Sequence, residues 1–238
     1  MRAVEHRTRE PKRRPDREPG MAVRIAGRVD IPDYVRDHES FRRWARSPEC
    51  PEHLRVAFYD GNLWVDPDME QLYVHNQVKY WVGVALAPLV EGKGLFITEG
   101  MLLSNAEARF STIPDSYFVS DDAFREGRIR EVPGKDGGCV ELDGTPDMIL
   151  EVVSRSSETK DLVDFPDKYW KAGVPEYWTI DVRTDDIVFH IWKRGPKGYV
   201  QSRKLPGQWL KSEVFGRSFR LIQGRDARGR PTYTLEVK

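Results

Sequence analysis

The chain has 238 residues, 39% of them hydrophobic and 32% charged. That is polar for a folded chain but enough apolar side chain to bury one sizeable core, so the expectation is a single domain with appendages. Lysine plus arginine and aspartate plus glutamate each number 38, so no global charge recruits a polyanion, and any nucleic-acid contact must be a local basic patch.

No apolar run reaches the about 18 residues of a membrane span, and the arginine-rich N-terminus has no apolar signal core. The expected location is therefore cytoplasmic, with no membrane partner. Cys50 and Cys139 lie far apart without metal-ligand spacing, and in a reducing compartment they are expected to be unpaired thiols.

Residues 1–20 are rich in Arg, Lys, Pro and Glu without apolar periodicity, which predicts a disordered basic arm. Residues 31–46 read as a capped helix with Tyr34, Phe41 and Trp44 as its apolar members. Residues 54–59 and 63–65, joined by Asp60-Gly61-Asn62, predict a hairpin. Val74, Val78, Trp81, Val82, Ala85, Leu86 and Leu89 recur at helical spacing and predict one long helix from about residue 69 to 91, ended by Gly92 and Gly94.

Strand candidates follow at 95–98, 101–103 and 115–119. Residues 132–138 read as a Gly-rich charged loop, whose run 133–138 lacks the spacing of a phosphate loop. Residues 140–142 read as a short edge strand, and 148–153 as a buried strand. Further strands are expected at 177–181, 187–193 and 198–201, with short pieces between 205 and 219. The expected domain spans 21–224, and the polar residues 225–238 read as a loose tail.

Glu151 is the residue most unlike its surroundings. It follows Met148, Ile149 and Leu150 and precedes Val152 and Val153, and an acid inside such a run is costly to bury unless paired or bound to a metal. Asp147, after Pro146, points to the same strand face, but about 13 Å away along a regular strand. Asp115, after Pro114 on another candidate strand, is the better partner for Glu151. Two carboxylates on adjacent strands suit Mg²⁺, which takes few protein ligands. Such an ion polarises a phosphoryl oxygen and activates water, and a nearby lysine steadies the developing charge.

Plainer readings stand beside these. Asp147 also fits a turn acid, Asp115 a strand-start cap, and Lys160 and Lys168 solvated lysines. His75 fits a helix boundary residue. Tyr169, Trp170, Tyr177 and Trp178 read as core or boundary aromatics.

Pro146-Asp147, Glu151-Val152-Val153-Ser154, Asp161, Tyr169, Ala172-Gly173-Val174-Pro175-Glu176-Tyr177-Trp178 and Ile180-Asp181 together resemble the signature of the Uma2 family (DUF820). These are restriction-endonuclease-like proteins of the PD-(D/E)xK superfamily. The resemblance extends more weakly to Pro114-Asp115 and His75, and does not cover the first 30 residues. It implies an α/β fold with a restriction-endonuclease-like core, a mixed β-sheet flanked by helices. It also implies Mg²⁺- or Mn²⁺-dependent cleavage of DNA, with Asp115 and Glu151 as metal ligands and Asp147 as a further candidate. Nucleases of this type often pair, so a homodimer is possible.

Two departures from the family pattern matter. The lysine of the usual acid-x-lysine triplet is replaced by an apolar residue, here Val153, as in the family. The position to which the family's lysine migrates aligns with Phe165. Lys160 and Lys168 are the nearby substitutes. Pro166 favours a helix starting near Asp164, with Asp164 as cap. Lys160 would then lie in a loop above the strand end and Lys168 on the helix; the loop position favours Lys160. Two rival readings remain: a catalytically inactive binding or assembly module, and a hydrolase of smaller phosphoesters.

Overall fold

A computed structural model of the chain describes residues 21–24, 28–51, 54–66, 71–134 and 137–238. The expected arm at residues 1–20 lies outside the described residues. The chain divides into two units, Met1–Val35 and Arg36–Lys238. In the first, β1 (Met21–Arg24) and β2 (Arg28–Ile31) pair as an antiparallel ribbon.

The second unit opens with α1 (His38–Ala45), later than the expected start at residue 31. Its boundary is set by a reciprocal cap: the Asp37 carboxylate accepts from the Ser40 amide at 2.8 Å, and the Ser40 hydroxyl accepts from the Asp37 amide at 3.0 Å. Then come β3 (Arg55–Tyr59) and β4 (Asn62–Asp66), joined through Asp60 and Gly61 at φ 50° and 76°. Positive φ at both central positions is what a tight hairpin turn requires.

A π-helical turn (Leu72–Asn76) leads into α2 (Gln77–Val90). Strands β5 (Gly94–Thr98), β6 (Leu102–Asn105), β7 (Phe110–Thr112) and β8 (Ser116–Ser120) follow. After the short α3 (Asp121–Arg125) come β9 (Ile129–Pro133), β10 (Cys139–Gly144) and β11 (Met148–Val152). A second π turn (Lys160–Asp164) leads into α4 (Phe165–Lys171). The chain closes with β12 (Glu176–Asp181), β13 (Val188–Gly195), β14 (Gly198–Gln201), β15 (Lys204–Leu205), β16 (Trp209–Lys211), β17 (Ser218–Arg225) and β18 (Pro231–Val237).

The central sheet has the order β14-β13-β12-β11-β8-β5, parallel only between β11 and β12. A second sheet, β4-β3-β7-β6-β10-β9, is likewise mixed, with β6 and β10 parallel. The last four strands form an antiparallel sheet. Side chains of a strand alternate between faces, and β11 uses both. Met148, Leu150 and Val152 join a core with Val78, Val82 and Leu86 of α2 and with Phe219 and Leu235 of the C-terminal sheet. Ile149 joins the other core, with Leu103, Phe110 and Leu142 of the second sheet and Phe165 and Tyr169 of α4. Glu151 shares the Ile149 face.

Two expectations are corrected. Residues 140–142 belong to β10, an interior strand paired with β6 and β9, whose buried Glu141 lies against Arg42 of α1 (2.5 Å) and Arg46 just beyond it (3.1 Å). The tail expected to be loose forms β18, paired along β17. Its polar composition is the outer half of an alternation: Thr232 and Thr234 are exposed, while Tyr233 and Leu235 are buried. Cys50 and Cys139 are separate thiols, and among the described residues no helix is long and apolar enough to cross a membrane. If β18 is part of the fold, Leu235→Ala should cost about 2–4 kcal/mol in urea unfolding. A cost below about 0.5 kcal/mol would mean that the strand buries nothing of consequence.

Candidate active site

The register between β8 and β11 brings two acids together. Tyr117 lies opposite Ile149 and Ser116 opposite Leu150, so the next step along both chains sets Asp115 beside Glu151. The contact is direct. The Asp115 amide donates to Glu151 Oε2 at 3.4 Å, and Asp115 Oδ2 accepts from the Val152 amide at 2.7 Å. Both residues are buried.

The two carboxyls have opposite electrostatic surroundings. Burial opposes charge on Asp115, but the His75 hydrogen bond and the charges of His75, Lys79 and Arg55 outweigh it and hold the group well below the usual carboxylate range. His75 Nε2 is 3.2 Å from Oδ2; Arg55 Nη2 is 3.0 Å and Lys79 Nζ 3.8 Å from Oδ1. Burial dominates at Glu151 and pushes it up to about 8, with Lys160 and the Tyr169 hydrogen bond acting against the rise and Asp161 and Asp115 adding to it.

Lys160 and Asp161 come from the π turn before α4. Lys160 Nζ lies 2.8 Å from Asp161 Oδ1 and 3.7 Å from Glu151 Oε1. Its ammonium also sits 4.6 Å from the centre of the Phe165 ring and 5.1 Å from that of Trp64, a favourable placement for a desolvated cation. Burial works against charge on Lys160, but Glu151 and Asp161 overcome it and raise its pKa. Burial likewise raises Asp161, against the pull of Lys160. Tyr169 on α4 donates to Glu151 Oε1 at 2.6 Å, fixing the carboxyl from the helix side.

Asp115, Glu151 and Lys160 are thus gathered in one place, with His75 beside them. Asp147 is not. Its oxygens accept from the Ser120 amide (2.6 Å) and Arg128 (2.9 Å) at the opposite end of β11, a separation imposed by the rise of the strand. Lys168 is not there either: it lies 2.6 Å from Asp60 at the tip of the β3–β4 hairpin. Lys160 occupies a helical turn rather than a loop, and Asp164 makes no cap bond but accepts from the Tyr59 hydroxyl at 3.2 Å. Sequence reasoning missed Arg55 and Lys79 and, although it singled out Asp161 and Tyr169 as signature residues, gave neither a place in the site. The spacing of His75 and Lys79, four apart on a helical face, was an available signal for Lys79. Nothing local marks Arg55.

Asp115, Glu151, Lys160, Asp161, His75 and Arg55 help wall a cavity of about 10 Å³, on the scale of one water molecule. It adjoins a larger cleft of about 460 Å³, with Arg55, Asp66 and His75 lining both. Among the described residues, no three His, Cys, Asp or Glu side chains converge as a metal-binding group. Mg²⁺ needs fewer, because it binds through one or two carboxylates and keeps several waters. Asp115 and Glu151 fit that demand in donor type. Asp161, 2.8 Å from the Lys160 ammonium, places a third buried carboxyl at the same cavity.

The raised Glu151 makes a prediction about stability. Its ordinary value is 4.5, against about 8 in the fold. Between these values the folded state keeps a proton that the unfolded chain has lost. The stability it contributes is therefore complete below the ordinary value and is lost as pH rises towards 8. The melting temperature of Glu151→Gln relative to wild type should accordingly climb between about pH 5 and pH 8, by at least the roughly 2–4 °C that 1 kcal/mol represents in a chain of this size. A difference independent of pH would mean that Glu151 is ionised throughout.

Comparison with known proteins places this chain in a family. The family model Uma2, described as "Putative restriction endonuclease", matches residues 38–222. No functionally curated protein matches the chain. Among solved structures, the chain is similar to one described as "a putative nuclease belonging to DUF820" from Anabaena variabilis. The TM-score is 0.56 at 14% identity, covering 76% of this chain and 90% of that one; at such identity the likeness is one of fold. The family model spans more than half of the chain, and the protein belongs to the Uma2 family.

Proposed function

We propose that the chain is an endonuclease that hydrolyses DNA phosphodiester bonds with Mg²⁺, or Mn²⁺, bound by Asp115 and Glu151. The observation that carries this reading is a pair of buried carboxylates on adjacent strands, in direct contact through the Asp115 amide, with a buried lysine 3.7 Å from one of them. When bound, the ion supplies Lewis acidity towards a phosphoryl oxygen and a water of lowered pKa.

The side chains then divide the work. Asp115 is kept ionised by His75, Lys79 and Arg55 and is ready to receive a cation. Glu151 gives up its proton on loading, which couples metal affinity to pH. Tyr169 fixes the direction of its carboxyl. Lys160 offers an ammonium to the charge that develops on the phosphoryl oxygens, in a site where the Trp64 and Phe165 rings limit water. A homodimer would supply the second site needed to cut both strands.

One observation favours a second reading. Asp115 is already enclosed by cations and a main-chain donor, as suits a catalytically inactive binding or assembly module that keeps the fold. Calorimetry with Mn²⁺ and plasmid cleavage in Mg²⁺ separate the two. On the nuclease reading, wild type binds the metal and cuts, and Glu151→Ala does neither. Lys160→Ala should bind the metal but cut at least about tenfold more slowly, the scale of one lost transition-state contact, while Lys168→Ala cuts as wild type does. A wild-type protein that neither binds the metal nor cuts would support the module. Normal cutting by Lys160→Ala would remove the lysine from the chemistry.

A further inference from the structure

The cleft beside the carboxylate cavity has a chemistry of its own. Its 460 Å³ are lined by Arg55, Arg155, Arg183 and His75, against Asp66 as an acid, and clefts of this size commonly take a ligand. It opens where the chain leaves β11, since Val153, Ser154, Arg155 and Ser156 all line it. That is the carboxyl end of the parallel pair β11–β12, where ligands of mixed α/β sheets characteristically bind.

The cations of the cleft are not equivalent. Arg55 is engaged by Asp115 and Glu99 at 3.0 Å each. Arg183 is held by Asp181 and Glu158 at 2.8 Å each. Asp66, the acid, lies 3.8 Å from Arg55 and 3.4 Å from the Ser156 hydroxyl. Arg155 is exposed and has no acidic partner among the described residues. It is nonetheless not on a slack loop. The Ser154 and Ser157 amides each donate to the other's hydroxyl, at 3.0 and 3.1 Å, and the Ser154 and Ser156 hydroxyls are 3.0 Å apart. Short bonds on both sides fix the backbone that presents the guanidinium.

We infer that Arg155 is a phosphate-binding residue, gripping in this cleft the backbone phosphate next to the one cleaved at Asp115 and Glu151. A guanidinium matches a phosphate oxygen pair with two parallel hydrogen bonds. Arg55, Asp66 and His75 line both the cleft and the cavity, so a strand lying in the cleft would run beside the carboxylate site. This rests on the DNA reading above and deepens it: Arg155 positions the substrate without taking part in the chemistry.

The test is the anisotropy of a fluorescent DNA duplex titrated with full-length protein in EDTA, where no metal-dependent cutting interferes. Lys197, exposed in the β13–β14 turn at the far end of the central sheet, serves as the control. Arg155→Ala should keep the wild-type melting temperature, weaken binding about tenfold and flatten the slope of log affinity against log salt by about 1. Arg155→Lys should restore the slope but only part of the affinity, and Lys197→Ala should behave as wild type. If wild type binds and Arg155→Ala matches it in affinity and slope, the assignment of Arg155 fails and the DNA reading stands. Equal losses in Arg155→Ala and Lys197→Ala would overturn it too, leaving only diffuse charge. A wild-type protein that binds no duplex overturns both readings.

Discussion

A carboxyl group buried at the end of β11 dictates what surrounds it. Glu151 is 1% exposed, and an isolated charge there would be prohibitively costly. Its oxygens accept a tyrosine hydroxyl and a main-chain amide, with an ammonium close by. Each partner comes from a different element: α4, the start of β8, and the π turn before α4. Removing any one leaves the others incompletely satisfied, so these groups form a unit whose single substitutions will not add. The neighbouring Asp115 is driven the opposite way, towards ionisation, by His75, Lys79 and Arg55. Two carboxyls whose environments push their pKa values apart are a recurring feature of acid–base sites.

Irregular turns before two of the helices deliver His75 and Lys160 to the site. His75 lies in the π turn before α2, and Lys160 and Asp161 in the π turn before α4. Such turns are frequent at functional sites. The second one bears on the departure at Phe165. At Phe165, where the resemblance implied a lysine, this chain has an aromatic ring, and the Lys160 ammonium of the preceding turn sits 4.6 Å from its centre. Pro166 fits this arrangement because it stands in the first turn of α4, where its missing donor costs little.

How much of this was legible depended on the range of the interactions. Glu151 announced itself because its neighbours in sequence are apolar, and the Asp-Gly turn, the α2 stripe and the strand at 148–153 are all local signals. The partnership of Asp115 with Glu151 could be guessed from strand order but not its register. Arg55, at the start of β3, was invisible, since only the packing of three elements brings it to Asp115. Asp147 stayed only a further candidate because it shares a strand face with Glu151, although the rise of a strand already set the two about 13 Å apart. Residues 225–238 misled because one exposed face of β18 is polar, and a two-residue alternation is easily read as general polarity.

The most direct measurement is anomalous diffraction from crystals soaked in Mn²⁺. The account predicts one strong peak with an oxygen of Asp115 and an oxygen of Glu151 both about 2.1 Å away, the distance of a small hard cation, and with Lys160 still beside the site. A peak elsewhere on the chain, or none at all with Lys160 and Tyr169 still closed on Glu151, would contradict it.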